Sequence, residues 1–236
     1  AVTVRWLAVA AVVLVLIQGG LGGARVLLDD TTVAKVHACT GPLFFAVAVA
    51  LAALTRQTGS VMLPRVAAGL AAAVPIAAYA QLVAGAQLRH LDPATPPRIF
   101  HLLVGTHVLG AIVVALIVAA VAVMTRGTTN LRARRWALVL TAAVVGQLLL
   151  GGGTWVAKYG VPSAVLPDGW RLSAPIVARS GWGAATVTTH AVLGMLILGG
   201  GVALAIAAAG PAGSAGEANS PLIARGSFRR HTGVPA

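Results

Sequence analysis

Along the chain, long runs of Ala, Val and Leu alternate with short polar gaps. An α-helix rises 1.5 Å per residue, so about 20 apolar residues cross the roughly 30 Å hydrocarbon core of a bilayer. Six runs reach that length, at residues 4–23, 32–54, 61–84, 99–124, 135–153 and 182–208. The pattern predicts an all-α fold, a polytopic membrane helix bundle of about six transmembrane helices. After the last run, residues 210–236 are rich in Gly, Ser, Pro and Arg and read as a disordered tail.

Composition sharpens this picture. Apolar residues make up 58% of the 236 positions and charged residues 9%, far below the roughly 25% of a water-soluble domain. The formal net charge of +12 raises the question of nucleic acid. Basic residues fall in the gaps between apolar runs, where they anchor helix ends, and no contiguous aqueous surface remains for phosphates. The lipid bilayer is therefore the expected partner, and nucleic acid is not. A single cysteine, Cys39, rules out an intramolecular disulfide and a CxxCH haem attachment. The chain opens on Ala, with no basic segment ahead of a short apolar core, so no signal peptide is read and the natural start is expected upstream.

Basic residues also set an expected orientation. Arg5, Arg56, Arg65, Arg126, Arg132, Arg134 and Arg135, with three arginines of the tail, fall on one side. Arg25, Lys35, Arg89, Arg98, Lys158, Arg171 and Arg179 fall on the other, beside Asp29, Asp30, Asp92 and Asp168. The larger first group predicts both termini in the cytoplasm. The longest outward loop, Thr154 to Gly181, carries Trp155, Tyr159, Trp170 and Trp182 and is expected along the membrane surface.

A repeat underlies the six runs. Spans one, three and five end in Gln18-x-x-x-Gly22, Gln81-x-x-x-Gly85 and Gln147-x-x-x-Gly151. Each is followed by an outward loop and then by a span with histidine near its outer end: His37, then His101 and His107, then His190. Three copies of one helical hairpin are implied, and duplicated bundles place their sites where repeats meet.

Ionisable side chains inside a span cost several kcal/mol and turn toward a partner within the bundle. His37, His107 and His190 lie at a common depth, where two imidazoles on facing helices can clamp a metal. Gly41, Gly110 and Gly194 follow them at spacings that share a helix face, leaving a bare patch where a porphyrin plane could rest or helices could pack closely. Zinc would want further Cys or carboxylate ligands, and no span contains Asp or Glu. Cys39 faces about 200° away from His37 and reads as a packing residue. Bis-histidine haem therefore fits the inventory better. His101 and His107 are six residues apart and cannot share a face; His107 matches the depth of His190 and is preferred, with His101 the alternative. His90 and His231 read as solvated. Gln18, Gln81 and Gln147 suit either orientation of a haem ligand or helix–helix hydrogen bonding. Arg25, Arg89, Arg98 and Lys158 suit either haem propionates or interfacial snorkelling.

These residues carry a resemblance. The run QGGLGGARVLLDDTTVAKVHA from Gln18 to Ala38, with Phe44 and Phe45, resembles the haem A synthase (cytochrome oxidase assembly) family, whose pattern is QxxLGxxxV…VxxHxxxA across two helices. QLLLGGGTWVAKYGV from Gln147, TVTTHAVLGMLIL around His190 and PPRIFHLLVGTHVLGA from Pro96 resemble the second half of a divergent bacterial branch. The likeness spans residues 5–208. It implies an eight-helix bundle of two halves, each able to hold a haem between two histidines, with oxidation of the C8 methyl of haem O to a formyl. On that reading residues 1–58 are the last helix pair of a substrate-haem half, 59–209 the four-helix cofactor-haem half, and 210–236 a cytoplasmic tail. His107 and His190 would ligate a haem b cofactor, with Gln81, Gln147, Gly110 and Gly194 around it, and His37 would serve the haem O substrate site as a catalytic residue and iron ligand. The first two helices of the pattern are not in this sequence, nor are the paired loop cysteines of some members. The implied role is haem A biosynthesis for cytochrome c oxidase in the bacterial plasma membrane, with haem O synthase or oxidase assembly factors as partners. The residues alone leave open a non-enzymatic di-haem b-type electron-transfer protein.

Overall fold

The computed structural model of the protein describes residues 2–56, 60–92, 94–160 and 181–209. They form six helices: α1 (Val2–Leu27), α2 (Thr31–Thr55), α3 (Arg65–Arg89), α4 (Pro97–Thr125), α5 (Leu131–Tyr159) and α6 (Gly181–Ala209). All six are long and apolar enough to cross a membrane, and no strand occurs among the described residues. The fold is an all-helical multi-pass membrane bundle, as the hydrophobic pattern predicts.

The helices outrun the apolar blocks. At 25–29 residues each exceeds the minimum span, which a tilted helix accommodates. Helix α3 starts after Pro64, which occupies the N-cap position, and not at residue 61. It runs on to Arg89 past Gly85. Helix α5 continues through Gly151–Gly153 to Tyr159, so Trp155 and Tyr159 belong to its last turn and not to a surface loop. Glycine does not stop a helix where neighbours cover the backbone and no water competes for it. Trp182 likewise lies in the first turn of α6. Trp170 and the tail 210–236 fall outside the described residues.

Local chemistry sets several ends. Asp30 caps α2 by accepting from Val33 N at 2.8 Å, and the backbone N–H groups of Val33 and Thr32 hold its carboxyl below the usual range. Asn130 caps α5, accepting from Ala133 N at 3.1 Å. Arg25, Arg89 and Lys158 occupy the last turns of α1, α3 and α5, where cations favour the helix dipole. Lys158 Nζ also donates to the Leu88 carbonyl at 2.8 Å, binding the ends of α3 and α5.

Helices α3 to α6 close a ring in which each touches the next and α6 returns to α3. The α1–α2 hairpin attaches through α2, which touches α3 and α6; α1 packs on α2 alone among the described helices. The core lies inside the ring, lined by Ala71, Val74, Val118, Leu140, Leu198 and Leu204 among others. Helix α6 sits at the centre because of Gly199-Gly200-Gly201. A Cβ at Gly199 would stand 2.8 Å from Phe45 of α2, at Gly200 3.0 Å from Leu140 of α5, and at Gly201 2.8 Å from Val74 of α3. Three neighbours thus reach one stretch of backbone, the close approach that small residues permit in membranes. Pro42 lies inside α2, and Tyr79 of α3 donates its hydroxyl to the Cys39 carbonyl one turn earlier at 3.3 Å, tying the two helices together.

Gly201→Val places two methyls where Val74 and the Pro75 backbone already stand. It is expected to cost about 1–3 kcal/mol by overpacking and to lower the thermal midpoint of the detergent-purified protein. Gly20→Ala, with nothing within 4 Å of the new Cβ, is expected to leave the midpoint unchanged.

Candidate functional site: an imidazole pair across the bundle

The Gln-x-x-x-Gly repeat is a reciprocal lock between the two helices of each hairpin. Positions four apart share a helix face, so the glutamine and glycine of the first helix both meet the second. In α1–α2, Gln18 Nε2 donates to the His37 carbonyl at 3.0 Å, and Thr40 Oγ1 donates to Gln18 Oε1 at 2.6 Å. The His37 ring lies over Gly22, where a Cβ would come within 3.3 Å of Cε1. In α3–α4, Gln81 Nε2 donates to the His107 carbonyl at 2.7 Å, and the His107 ring lies over Gly85, 3.2 Å from the position of a Cβ. In α5–α6 the His190 ring lies over Gly151 at 3.3 Å by the same measure.

The glycines on the histidine helices complete each lock. A Cβ at Gly41 would stand 2.7 Å from Gln18 Nε2, and at Gly194 3.1 Å from Gln147 Nε2; at Gly110 it would collide with the Gln81 amide oxygen. The sequence left these three positions open to a porphyrin plane or to close helix packing. In the structure the glutamine side chains of the preceding helix lie against them, and the glycines beneath the imidazoles are Gly22, Gly85 and Gly151. Their signal was present in the motif, as the second fixed letter of each repeat.

Two of the three histidines come together. His107 and His190 lie on α4 and α6, diagonal members of the ring with no direct helix–helix contact. Their rings meet across the interior with centroids 6.3 Å apart and planes at 71°. His101 does not join them: it is exposed in the first turns of α4, its ring 5.6 Å from that of Phe100. Phe100 belongs to an aromatic cluster with Trp155 and Tyr159, at 6.5 Å and 5.3 Å. His37 sits half-buried against α1, on the opposite side of α2 from Cys39. Cys39 faces α3, where Gln87 Nε2 approaches its sulfur at 4.0 Å. His231 lies outside the described residues.

The surroundings of the ring nitrogens differ. Gln81 Nε2 lies 3.0 Å from His107 Nδ1 as well as 2.7 Å from the His107 carbonyl, and its two hydrogens can serve both. An amide N–H only donates, so Nδ1 of His107 accepts there. At His190, Nδ1 has no hydrogen-bond partner among the described residues, and neither has the buried Gln147 Oε1. His37 Nδ1 is likewise buried without a partner.

At the end of the bundle nearest these histidines, Arg25, Lys35, Arg89 and Lys158 surround His90. Burial and then these cations push its imidazole below the ordinary range. Arg25, Asp29, Asp30 and His90 line a groove between the α1–α2 connection and the end of α3. Arg98 is not one of the cations acting on His90.

The separation of the pair can be set beside that of two imidazoles on one metal. An imidazole nitrogen binds a metal at about 2.0 Å, so two rings trans on one ion hold their centroids roughly 6 Å apart. Among the described residues no three His, Cys, Asp or Glu side chains gather, which leaves a tetrahedral zinc site without its ligands. Comparison of the chain with protein-family models, with curated proteins and with solved structures finds no match in any of the three.

Ring and glycine compete for one volume, which a double-mutant cycle reads. Gly85→Leu is expected to destabilise the purified protein by about 1–3 kcal/mol. Adding His107→Ala is expected to restore much of that loss, a coupling that independent sites would not show. Thermal unfolding of the four variants measures it; additive losses would contradict the contact.

Proposed function

We propose that the protein is a membrane haem-binding oxidoreductase of the haem A synthase kind, in which His107 and His190 hold a haem b iron. The observation that carries this reading is the 6.3 Å separation of the two imidazoles across the bundle interior. A porphyrin contributes four of its own nitrogens, so two histidines complete the coordination without further ligands. Gln81 Nε2 engages Nδ1 of His107 at 3.0 Å, so Nε2 is the nitrogen of that ring that would hold an iron. When bound, the haem supplies one-electron transfer. His107 and His190 would hold the iron, and the apolar helices around them would exclude water from it.

The reaction in this reading is oxidation of the haem O methyl to a formyl by dioxygen, one oxygen atom kept in the formyl and the other leaving as water, which supports cytochrome c oxidase assembly, with haem O as the substrate near His37. The chain's contribution there is His37 and its lock to α1, with Gln18 and Thr40 fixing the backbone that carries it. Arg25 and Arg89, at the same end of the bundle, suit carboxylate groups of a haem. Haem O synthase or oxidase assembly factors are the proposed partners. The proposed location is the bacterial plasma membrane. Six crossings put both termini on one side, and the basic bias favours the cytoplasmic one.

One observation favours a simpler reading. Among the described residues only His107 and His190 form an imidazole pair, and His37 meets no second histidine. An electron-transfer protein would need that one pair and no substrate site. Product analysis separates the two. Co-expression with a source of haem O, followed by extraction and chromatography, yields haem A if the chain is a synthase, and unchanged haem O if it only carries electrons.

The haem assignment itself is read by absorbance. Protein purified from haem-replete cells is expected to show the sharp reduced α band of bis-histidine haem. His107→Ala and His190→Ala are each expected to lose it with insertion intact, whereas His101→Ala keeps it. A full spectrum in His190→Ala would remove the assignment.

A further inference from the structure

The two ends of the bundle carry different charges. Asp29, Asp30 and Asp92, the carboxylates among the described residues, all stand where α1 turns into α2 and α3 into α4. Both lysines, Lys35 and Lys158, belong to that same end. At the opposite end every described charged residue is an arginine. The difference is chemical as well as electrostatic. A guanidinium presents a rigid fork of N–H donors that grips a phosphate through two parallel bonds, and an ammonium does not.

Four of these arginines fall on the α4–α5 hairpin, and all four are exposed. Arg126 closes α4, where the helix dipole favours a cation. Arg132, Arg134 and Arg135 open α5, where the dipole opposes one, and no acidic residue stands in that first turn. An anion bound at this end offsets both the dipole and the mutual repulsion of the group.

What adjoins the arginines is apolar. On α5, Leu131, Leu138, Val145 and Leu149 lie within about 40° of one line along the helix, and Arg134 and Arg135 flank that line. The three leucines are 63%, 64% and 73% exposed, on the side opposite the buried Ala133, Ala137, Leu140 and Val144. From Arg135 to Leu149 the strip runs about 21 Å, past the roughly 15 Å depth of one leaflet's hydrocarbon. Neither α4 nor α5 packs on α1 or α2, so this face lies across the ring from the attached hairpin.

An acidic protein or a nucleic acid matches the arginines but not the strip beneath them. A molecule with phosphate at its head and hydrocarbon below it matches both. We propose that the α4–α5 end is a binding site for an anionic phospholipid. Arg134 and Arg135, with Arg126 beside them, hold its phosphate, and one acyl chain lies along Leu138, Val145 and Leu149. The site is independent of any haem in the bundle.

Native mass spectrometry of the full chain, titrated in detergent with phosphatidylglycerol or with phosphatidylcholine of the same chains, tests this. Phosphatidylglycerol is expected to stay bound at one per chain, about tenfold more tightly than phosphatidylcholine, whose choline cancels the phosphate charge. Arg134→Gln with Arg135→Gln is expected to remove that preference, and Arg25→Gln with Arg98→Gln, at the other end, to keep it. Removing arginines from a helix end also weakens the signal that orients insertion. Arg134→Lys with Arg135→Lys keeps the charge and is expected to bind phosphatidylglycerol several-fold more weakly than the parent, for want of the fork. Inorganic phosphate, a head without a chain, is expected not to displace the lipid at equal concentration. The proposal is overturned if the two lipids bind alike, if the Gln pair keeps the preference, or if the Lys pair binds as the parent does. Equal loss in the Arg25 and Arg98 pair overturns it too, as does displacement by inorganic phosphate, which leaves the α5 strip no part in binding.

Discussion

An imidazole inside a bilayer needs a wall to lie against and polar groups within reach, and the bundle provides both through contact with glycine. At Gly22, Gly85 and Gly151 a bare patch of backbone on one helix receives the histidine ring of the next. The spacing of four residues then puts glutamine on the same face, where Gln18 and Gln81 bond the carbonyl of the histidine itself. Magnitudes show what this contact can and cannot do. Interhelical hydrogen bonds in membranes average about 0.6 kcal/mol, whereas an ionisable group within a span costs several. The lock therefore positions the histidines without offsetting the cost of having them there. In the proposed reading, coordination to a shared metal is a gain of the right size.

The lock also explains why the hairpin is the unit of this structure. Each contact runs between consecutive helices, so a hairpin is specified before it meets another. Packing between hairpins then falls to small residues: Ala71 and Ala137 in the ring, and the three consecutive glycines of α6 that admit α2, α5 and α3 to one turn. Small residues suit this task because lipid gives no hydrophobic drive and close contact must supply the attraction. Position in the ring, and not the hairpin itself, separates His107 and His190 from His37.

Much of this was legible in the sequence. The six spans follow from the length of apolar runs, since few other structures satisfy a backbone in lipid. The repeat, the histidines and the preference for His107 over His101 follow from spacing and depth. What spacing could not show is which helix each glycine faces. Gly110 and Gly194 share a face with their histidines, and from one helix alone that face looks empty; the glutamine filling it comes from the preceding helix. The last turns of α3 and α5 were also out of reach. Residues such as Arg89 and Lys158 read as the start of a loop, until the Lys158 bond to the Leu88 carbonyl shows two helix ends bound together.

The two halves of the imidazole pair are not equivalent, and the difference bears on chemistry. At His107 the Gln81 amide nitrogen is held by two acceptors, the backbone carbonyl and Nδ1. At His190 the corresponding Oε1 of Gln147 and the Nδ1 both lie buried without partners. A buried polar atom without a partner costs about 1–3 kcal/mol, so the α5–α6 lock carries a strain that the α3–α4 lock does not. The Gln81 amide reaches Nδ1 of His107, and no group among the described residues does the same for Nδ1 of His190. The two imidazoles that meet across the interior are therefore held differently: His107 by contact with Gly85 and by its hairpin's glutamine, His190 by contact with Gly151.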